Sequence, residues 1–138
     1  MSLEIRKLNE SISVTSQITA NDIVKIKVQG FTAIINNRHD GEIEGQPSAA
    51  SIRAVAEQAG LKYVHLPIEP GKPTDEVINE FGQILENNSG SVLAHCGSGI
   101  RATVLWALSQ AGQQSADELI NTANQAGCDI TAMRSRLG

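Results

Sequence analysis

The residues best suited to chemistry lie in one short segment, Cys96-Gly97-Ser98-Gly99-Ile100-Arg101. It combines a cysteine, which is a nucleophile as the thiolate, with an arginine. A guanidinium and the start of a helix both favour the thiolate form of a nearby cysteine. The planar guanidinium can also bind two oxygens of a tetrahedral anion and follow their charge in a transition state. The segment therefore predicts nucleophilic attack on a bound oxyanion.

The two glycines of this segment indicate how the anion would be held. Gly97 and Gly99 allow the backbone to curl so that successive N–H groups point inward. From Arg101 onward the apolar residues recur at helical spacing, so the positive end of a helix dipole adds to the cradle. We expect residues 97 to 101 to bind a phosphate, with Cys96 at the base of the cradle.

The histidines do not indicate a metal site. His39, His65 and His95 lack the spacing of metal ligands, so we expect no metal and no other cofactor. We expect His95 to order the cysteine loop through hydrogen bonds and His65 to be a satisfied residue of a strand. The second cysteine, Cys128, is expected to be a small packing residue.

Length and charge limit the possible partners. A chain of 138 residues predicts a single domain, residues 1–138. The net charge of −4 argues against a nucleic-acid partner. No run reaches the roughly 18 apolar residues of a membrane span, and residues 1–10 contain no stretch typical of a signal sequence. We expect a cytoplasmic protein with no membrane partner, or a periplasmic one if a leader has been removed.

Around the cysteine loop, strand and helix patterns alternate. Edge strands are predicted at 4–8 and 12–15, buried strands at 31–37, 61–68 and 91–94, and helices at 19–30, 47–60, from 74, from 101 and at 115–127. This order predicts a three-layer α/β fold with a mostly parallel central sheet flanked by helices. Ligands bind at the carboxyl ends of the strands in such sheets, and the cysteine loop begins at one of those ends.

Several segments carry a resemblance to a known family. Val92–Arg101, together with residues 63–69 and 30–36, resembles the cysteine-dependent dual-specificity and tyrosine phosphatases. More closely, nearly the whole chain is similar to a bacterial family of phosphatase-like proteins, related to the phosphatase-like domain of beta-lactamase-hydrolase-like proteins. That similarity is carried by residues 16–19 and 36–42, by Gln46-Pro47 and by the cysteine loop.

The resemblance implies a dual-specificity-phosphatase-like fold and a phosphocysteine mechanism without a metal. Cys96 would attack phosphorus, Arg101 and the loop amides would hold the phosphoryl oxygens, and water would then release phosphate. The substrate would be a phosphorylated small molecule or a phosphoresidue.

Two departures from the large phosphatase family keep other functions open. Cys96 and Arg101 enclose four residues rather than five, a spacing used by rhodanese sulfurtransferases. The hydroxyl residue that usually follows the arginine is Ala102, and Thr103 is expected to point elsewhere on the helix. The alternatives are a rhodanese-like sulfurtransferase carrying a persulfide on Cys96 and a weakly catalytic anion-binding module.

The proton donor is a third departure, because Glu69-Pro70 stands where the phosphatases have an aspartate. Asp40, Glu69 and Asp75 are the candidates, and we favour Asp40 because the motif of the bacterial family contains it. The structural alternatives are a turn-forming role for Asp40 and a helix-dipole role for Asp75. Arg38, in the same loop as Asp40, is expected to bind a second anionic group of the substrate or to be solvated.

Overall fold

The computed structural model describes residues 3–138, which form a five-stranded sheet with helices on both faces. The strands are β1 (Arg6–Lys7), β2 (Ile12–Thr15), β3 (Phe31–Asn36), β4 (Lys62–His65) and β5 (Ser91–His95). The helices are α1 (Ile23–Val28), α2 (Ala49–Gln58), α3 (Asp75–Asn87), α4 (Ile100–Ser109), α5 (Ala116–Gln125) and α6 (Arg134–Leu137). Short 3-10 turns at Ala20–Asp22 and Thr131–Met133 lead into α1 and α6.

The strand order places the carboxyl ends of β2, β5, β3 and β4 side by side at one edge of the sheet. The sheet runs β1-β2-β5-β3-β4, with β1 antiparallel to β2 and every other pair parallel. His95 at the end of β5 pairs with Thr15 of β2 on one side and with Asn36 of β3 on the other, and Asn36 pairs in turn with His65 of β4. The loops that follow these strands therefore meet at the carboxyl edge of the sheet.

The central strands are buried on both faces, as their unbroken apolar runs predict. In β3, Ala33 and Ile35 pack into one core, while Ile34 packs into the other. The first core includes residues of α3, α4 and α5, and the second includes residues of α1 and α2. The predicted fold class, a three-layer α/β fold with a mostly parallel sheet, is confirmed.

The strand predicted at residues 61–68 is shorter in the structure, where β4 ends at His65. The following residues still run beside β3, because the Leu66 amide donates to Asn36 O at 2.7 Å and the Ile68 amide to Asn37 O at 3.3 Å. Pro67 stands between them and has no N–H to donate, so it interrupts the regular ladder. The chain continues as an extended segment that borders the cysteine loop.

Helix starts follow the predicted caps. Thr74 accepts from the Val77 amide at 3.3 Å, and Ser115 forms a capping box with Glu118. Chain beyond residue 127 was not predicted to be helical, yet the structure has a 3-10 turn and α6 there, with Leu137 buried. Among residues 3–138, no helix is both long and apolar enough to cross a membrane.

Candidate active site

The cysteine loop, residues 96–101, joins the end of β5 to the start of α4. Cys96 is buried, and its Sγ accepts a hydrogen bond from the Gly99 amide at 3.1 Å. Gly99 is the N-cap of α4 with φ +96°, a conformation that L side chains rarely adopt. A Cβ at Gly99 would lie 3.0 Å from Arg6 Nη2 and 3.4 Å from Thr15 O. The curl predicted for two glycines therefore depends on positive φ only at Gly99, since Gly97 does not have it.

The guanidinium of Arg101 binds the carboxylate of Glu42, a residue for which no role was predicted from the sequence. Its Nη1 and Nη2 each donate to one oxygen of Glu42 at 2.7 Å, and Nη1 also donates to Ile68 O at 3.0 Å. Only 11% of the Arg101 side chain and 23% of the Glu42 side chain are exposed, so solvent screens the pair weakly. The hydrogen bonds from Arg101, with further help from Arg38, lower the pKa of Glu42 to about 2. Glu42 is therefore an anion at neutral pH.

A second arginine shares this carboxylate. Arg38 Nε donates to Glu42 Oε1 at 2.8 Å, and its Nη1 donates to Gln17 Oε1 at 3.1 Å. The Arg38 side chain is only 8% exposed, so the alternative that it is solvated is wrong. A Cβ at Gly97 would lie 3.5 Å from the guanidinium groups of both Arg38 and Arg101. Two guanidinium groups thus border the cysteine loop of a chain whose net charge is negative.

The four-residue spacing from Arg38 to Glu42 is the sequence signal that could have indicated this pair. Opposite charges separated by four positions meet readily in a helix, but residues 37–46 form no helix here. The arrangement depends instead on Arg101, which lies 59 positions away in the chain. Only the folded chain brings these three side chains together.

Hydrogen bonds to main-chain carbonyl oxygens attach β1 and the neighbouring loops to the end of β5 and the cysteine loop. Arg6 of β1 donates from Nη2 to Ser98 O at 2.9 Å. The Asn37 amide donates to His95 O at 2.8 Å, and the Asn37 side chain donates to Leu66 O at 2.8 Å. The three loops that follow β3, β4 and β5 are therefore held in one arrangement.

His95 is fully buried, and neither nitrogen of its ring has a hydrogen-bond partner among the described residues. The ring hydrogen bonds expected to order the loop are thus not seen; the residue contacts the next loop through its carbonyl. Burial lowers the pKa of His95 to about 4, and the charges of Arg38 and His65 act in the same direction. The loop-ordering role of His95 stays a prediction. His65 is satisfied as expected, with Nε2 2.7 Å from Arg38 O.

The candidates for the proton donor occupy different settings. Asp40 Oδ1 accepts from the Ala49 amide at 2.8 Å, at the first turn of α2. Asp75 lies in the first turn of α3, where its dipole role was expected, and pairs with Arg136 at 3.4 Å. Glu69 is exposed and pairs only loosely with Lys72, at 3.6 Å. Of the three, Asp40 alone belongs to the loop that supplies Arg38 and Glu42.

The residues after Arg101 provide no hydroxyl to Cys96. Ala102 is buried, and Thr103 Oγ1 donates to Gly99 O at 2.8 Å, so it points back along the helix as expected. Thr103 Oγ1 also lies 3.4 Å from Sγ of Cys128, a buried core residue. The donor seen at Cys96 Sγ is the Gly99 amide.

A groove opens beside the cysteine loop, with a volume of about 410 Å³. Gly97, Ser98, Ile100 and Arg101 of the cysteine loop line part of the groove. Its walls come from the extended segment after β4, from α4 and from residues 129–133. This last wall was not predicted from the sequence, because the segment is too short to show a helical period.

The donors of a metal site are not grouped in this structure. Within residues 3–138, no cluster of three or more His, Cys, Asp or Glu side chains has a geometry that could hold a metal ion. The site instead consists of one cysteine, main-chain amides, two arginines and a carboxylate.

The mostly parallel sheet ends in a cysteine loop that is followed by a helix with an arginine in its first turn, an arrangement suited to binding an anion. The family model of the "Beta-lactamase hydrolase-like protein, phosphatase-like domain" matches residues 4–113. The chain belongs to this family, as the sequence resemblance predicted.

Individual relatives agree with this membership. The chain is 33% identical over 130 residues to a beta-lactamase hydrolase-like protein of Xylella fastidiosa strain Temecula1, covering 93% of this chain and 30% of the relative. An Agrobacterium fabrum protein of the same name is 32% identical over 128 residues, covering 91% of this chain and 30% of the relative. The chain thus spans about a third of the length of these relatives.

Solved structures resemble the chain over nearly its whole length. A "putative phosphatase" of Neisseria meningitidis Z2491 is 34% identical, with a TM-score of 0.87 and coverage of 96% of this chain and 95% of the other. Kinase associated phosphatase shares the fold, with a TM-score of 0.77 at 18% identity, over 96% of this chain and 89% of the other. The family model and the Neisseria structure thus carry phosphatase-like descriptions, and the kinase associated phosphatase match shows that the chain has the fold of that protein.

Proposed function

We propose that this chain is a cysteine-dependent phosphatase that hydrolyses a phosphomonoester through a phosphocysteine intermediate. The observation that carries the proposal is the cysteine loop itself. Cys96 Sγ accepts from the Gly99 amide at one end of the loop, and Arg101 stands in the first turn of α4 at the other. Loop amides, guanidinium and helix dipole together favour a tetrahedral anion next to the sulfur.

In the proposed reaction the Cys96 thiolate attacks phosphorus, an S–P bond forms, and the bond from phosphorus to the ester oxygen breaks. The departing oxygen takes a proton from an acid. A water molecule then attacks phosphorus, loses a proton to a base, and breaks the S–P bond to release inorganic phosphate and the thiolate. Arg101 and the amides of residues 97–101 follow the charge on the phosphoryl oxygens in both steps.

Asp40 is the proposed acid of the first step and base of the second. Glu42 is unsuited to this task, because two arginines lower its pKa to about 2 and leave it without a proton near neutral pH. Asp40 uses Oδ1 to accept from the Ala49 amide, which leaves Oδ2 for proton exchange. Proton transfer of this kind is worth about 10² to 10⁴ in rate, so Asp40→Asn should lower kcat by that range.

Sulfur transfer is a second candidate, favoured by two observations. Only four residues separate Cys96 from Arg101, and Ala102 supplies no hydroxyl to a departing thiolate. In that reaction the Cys96 thiolate attacks the outer sulfur of thiosulfate, the S–S bond breaks, and sulfite leaves. Cyanide then removes the outer sulfur from the Cys96 persulfide as thiocyanate and restores the thiolate.

The test compares wild type, Cys96→Ser and Cys128→Ala in two assays. One follows hydrolysis of phenyl phosphate, and the other follows thiocyanate formation from thiosulfate and cyanide. The phosphatase proposal expects phosphate release that Cys96→Ser abolishes and Cys128→Ala retains, since Cys128 packs in the core. Thiocyanate formation without phosphate release would overturn the proposal in favour of sulfur transfer. Tight phosphate binding with neither reaction would overturn it in favour of an anion-binding module.

A further inference from the structure

The groove beside the cysteine loop differs in character from the loop itself. Apolar side chains line most of it: Ile68, Pro70, Ile100, Val104, Ile130 and Met133. Ile100, the first residue of α4 and a member of the cysteine loop, is 49% exposed although it is a large apolar residue. Because Ile100 lies beside the other apolar residues of the lining, its exposed side chain extends one apolar patch, and such patches are typical of surfaces that bind apolar groups.

The lining of the groove contains one cation and one anion. Arg101 is the cation, and it belongs to the cysteine loop. Asp129 is the anion of the lining, and its Oδ1 is already engaged by the Thr131 amide at 3.0 Å and by Thr131 Oγ1 at 2.6 Å. A ligand with a second phosphate would find no cation besides Arg101 in this lining and would meet the Asp129 carboxylate.

We propose that the groove binds the alcohol part of the substrate, and that the substrate is a monophosphate ester of an apolar alkyl or aryl alcohol. This inference rests on the proposed phosphatase function, because it places the phosphate on the cysteine loop. The groove is continuous with that loop through Gly97, Ser98 and Arg101, so one molecule can occupy both. Its volume of about 410 Å³ lies in the usual range for small-ligand sites. Nucleotides, inositol polyphosphates and acidic phosphopeptides are disfavoured by the same lining.

Binding is measured by calorimetry on the Cys96→Ser protein, which keeps the loop but cannot react as the thiolate. The probes are methylphosphonate, hexylphosphonate and benzylphosphonate, which share the head group and differ in the apolar part. Each methylene that leaves water should strengthen binding about fourfold, so hexylphosphonate should bind at least tenfold more tightly than methylphosphonate. The hexyl and benzyl arms distinguish a lipid-like source from an aromatic one. Equal affinity for the methyl and hexyl probes would overturn the inference.

Two variants locate the effect. Met133→Asp, and Ala132→Asp at an exposed position of the same wall, should each weaken hexylphosphonate binding about tenfold and change methylphosphonate binding less than twofold. Val28→Asp is the matched control, because it also puts an acid in place of an exposed apolar residue, on α1 and outside the groove. It should change neither affinity. Equal weakening of both probes by the groove variants would contradict the inference.

A kinetic comparison separates this inference from the function on which it rests. Wild type is assayed with hexyl phosphate and with glycerol 3-phosphate, whose alcohol is polar. A kcat/KM at least tenfold higher for hexyl phosphate supports both proposals. Equal values would overturn the groove inference and leave the phosphatase function standing. Selective binding of hexylphosphonate with no hydrolysis of either ester would overturn the phosphatase function and leave the apolar binding site standing.

Discussion

Glu42 connects the two arginines, Arg38 and Arg101, through its carboxylate. Its two carboxylate oxygens hold both terminal nitrogens of Arg101 and the Nε of Arg38. A guanidinium fixed in this way keeps one orientation, and small displacements of a binding group are costly in catalysis. Glu42 is therefore expected to act as a positioning residue for Arg101, the arginine that we propose binds the phosphoryl oxygens.

Replacing Glu42 with glutamine should lower kcat/KM for an aryl phosphate by about 100-fold, because Arg101 loses one of its two acceptor oxygens and the negative charge of the carboxylate. The measurement is steady-state kinetics with phenyl phosphate, with kcat and KM reported separately. Glu44→Gln is the matched control, since Glu44 is an exposed acid in the same loop, and it should behave as wild type. A rise in kcat/KM would instead mean that Glu42 competes with the substrate for Arg101.

The cysteine loop, as an element, combines a strand end, a tight curl and a helix start within six residues. Gly99 makes this possible, because it takes a positive φ where β1 and β2 both approach closely. Arg6 of β1 reaches the same curl and donates to Ser98 O. The geometry of the loop thus depends on an edge strand that is about 90 residues away in the chain.

Gly99→Ala should destabilise the protein and abolish turnover. Its Cβ would add a contact of 3.0 Å with Arg6 Nη2 to the strain of a positive φ. Gly112→Ala is the control for strain alone, because Gly112 has φ +89° and nothing within 4 Å of a Cβ. Strain of this kind costs about 1 to 3 kcal/mol, and we expect Gly99→Ala to cost about 1 kcal/mol more than Gly112→Ala. Urea denaturation of both variants is the measurement, and equal losses of stability would contradict the role of the close approach.

At the scale of the whole molecule, β5, the middle strand of the sheet, ends in a buried histidine, His95. His95 lies where β2, β3 and β5 end level with one another, and burial lowers its pKa to about 4. In the unfolded chain, His95 is protonated below its ordinary pKa of 6.5. In the folded protein, it is protonated only below its lowered pKa of about 4. The contribution of His95 to stability is therefore present above pH 6.5 and is lost as the pH falls toward 4.

This linkage should be visible in unfolding experiments as a function of pH. Between pH 6.5 and 4, the free energy of unfolding should fall by up to about 3 kcal/mol more in wild type than in His95→Asn, which has no titrating ring. Glu42 contributes in a lower window, because its pKa falls from 4.5 to about 2, and its share is lost only as the pH drops through that range. Parallel curves for wild type and His95→Asn would contradict the assignment to His95.

Much of the architecture could be predicted from patterns among residues that are close together in the sequence. Unbroken apolar runs predicted β3 and β5 as strands buried on both faces, and the caps at Thr74 and Ser115 predicted the starts of α3 and α5. The cysteine loop was evident for the same reason, because its residues are contiguous. These features are local, so the sequence alone determines them.

Only the tertiary structure decided which segments that are distant in the sequence contact one another. Glu42 meets Arg101 across 59 positions, and Arg6 meets Ser98 across 92, because parallel pairing levels the strand ends and brings their loops together. The wall of the groove at residues 129–133 comes from a segment too short to carry a periodic signal, and it takes its shape by packing on the core. Residue types and spacing therefore determined the cysteine loop and its position between a strand and a helix, while long-range packing determined the carboxylate that binds Arg101 and the apolar groove beside it.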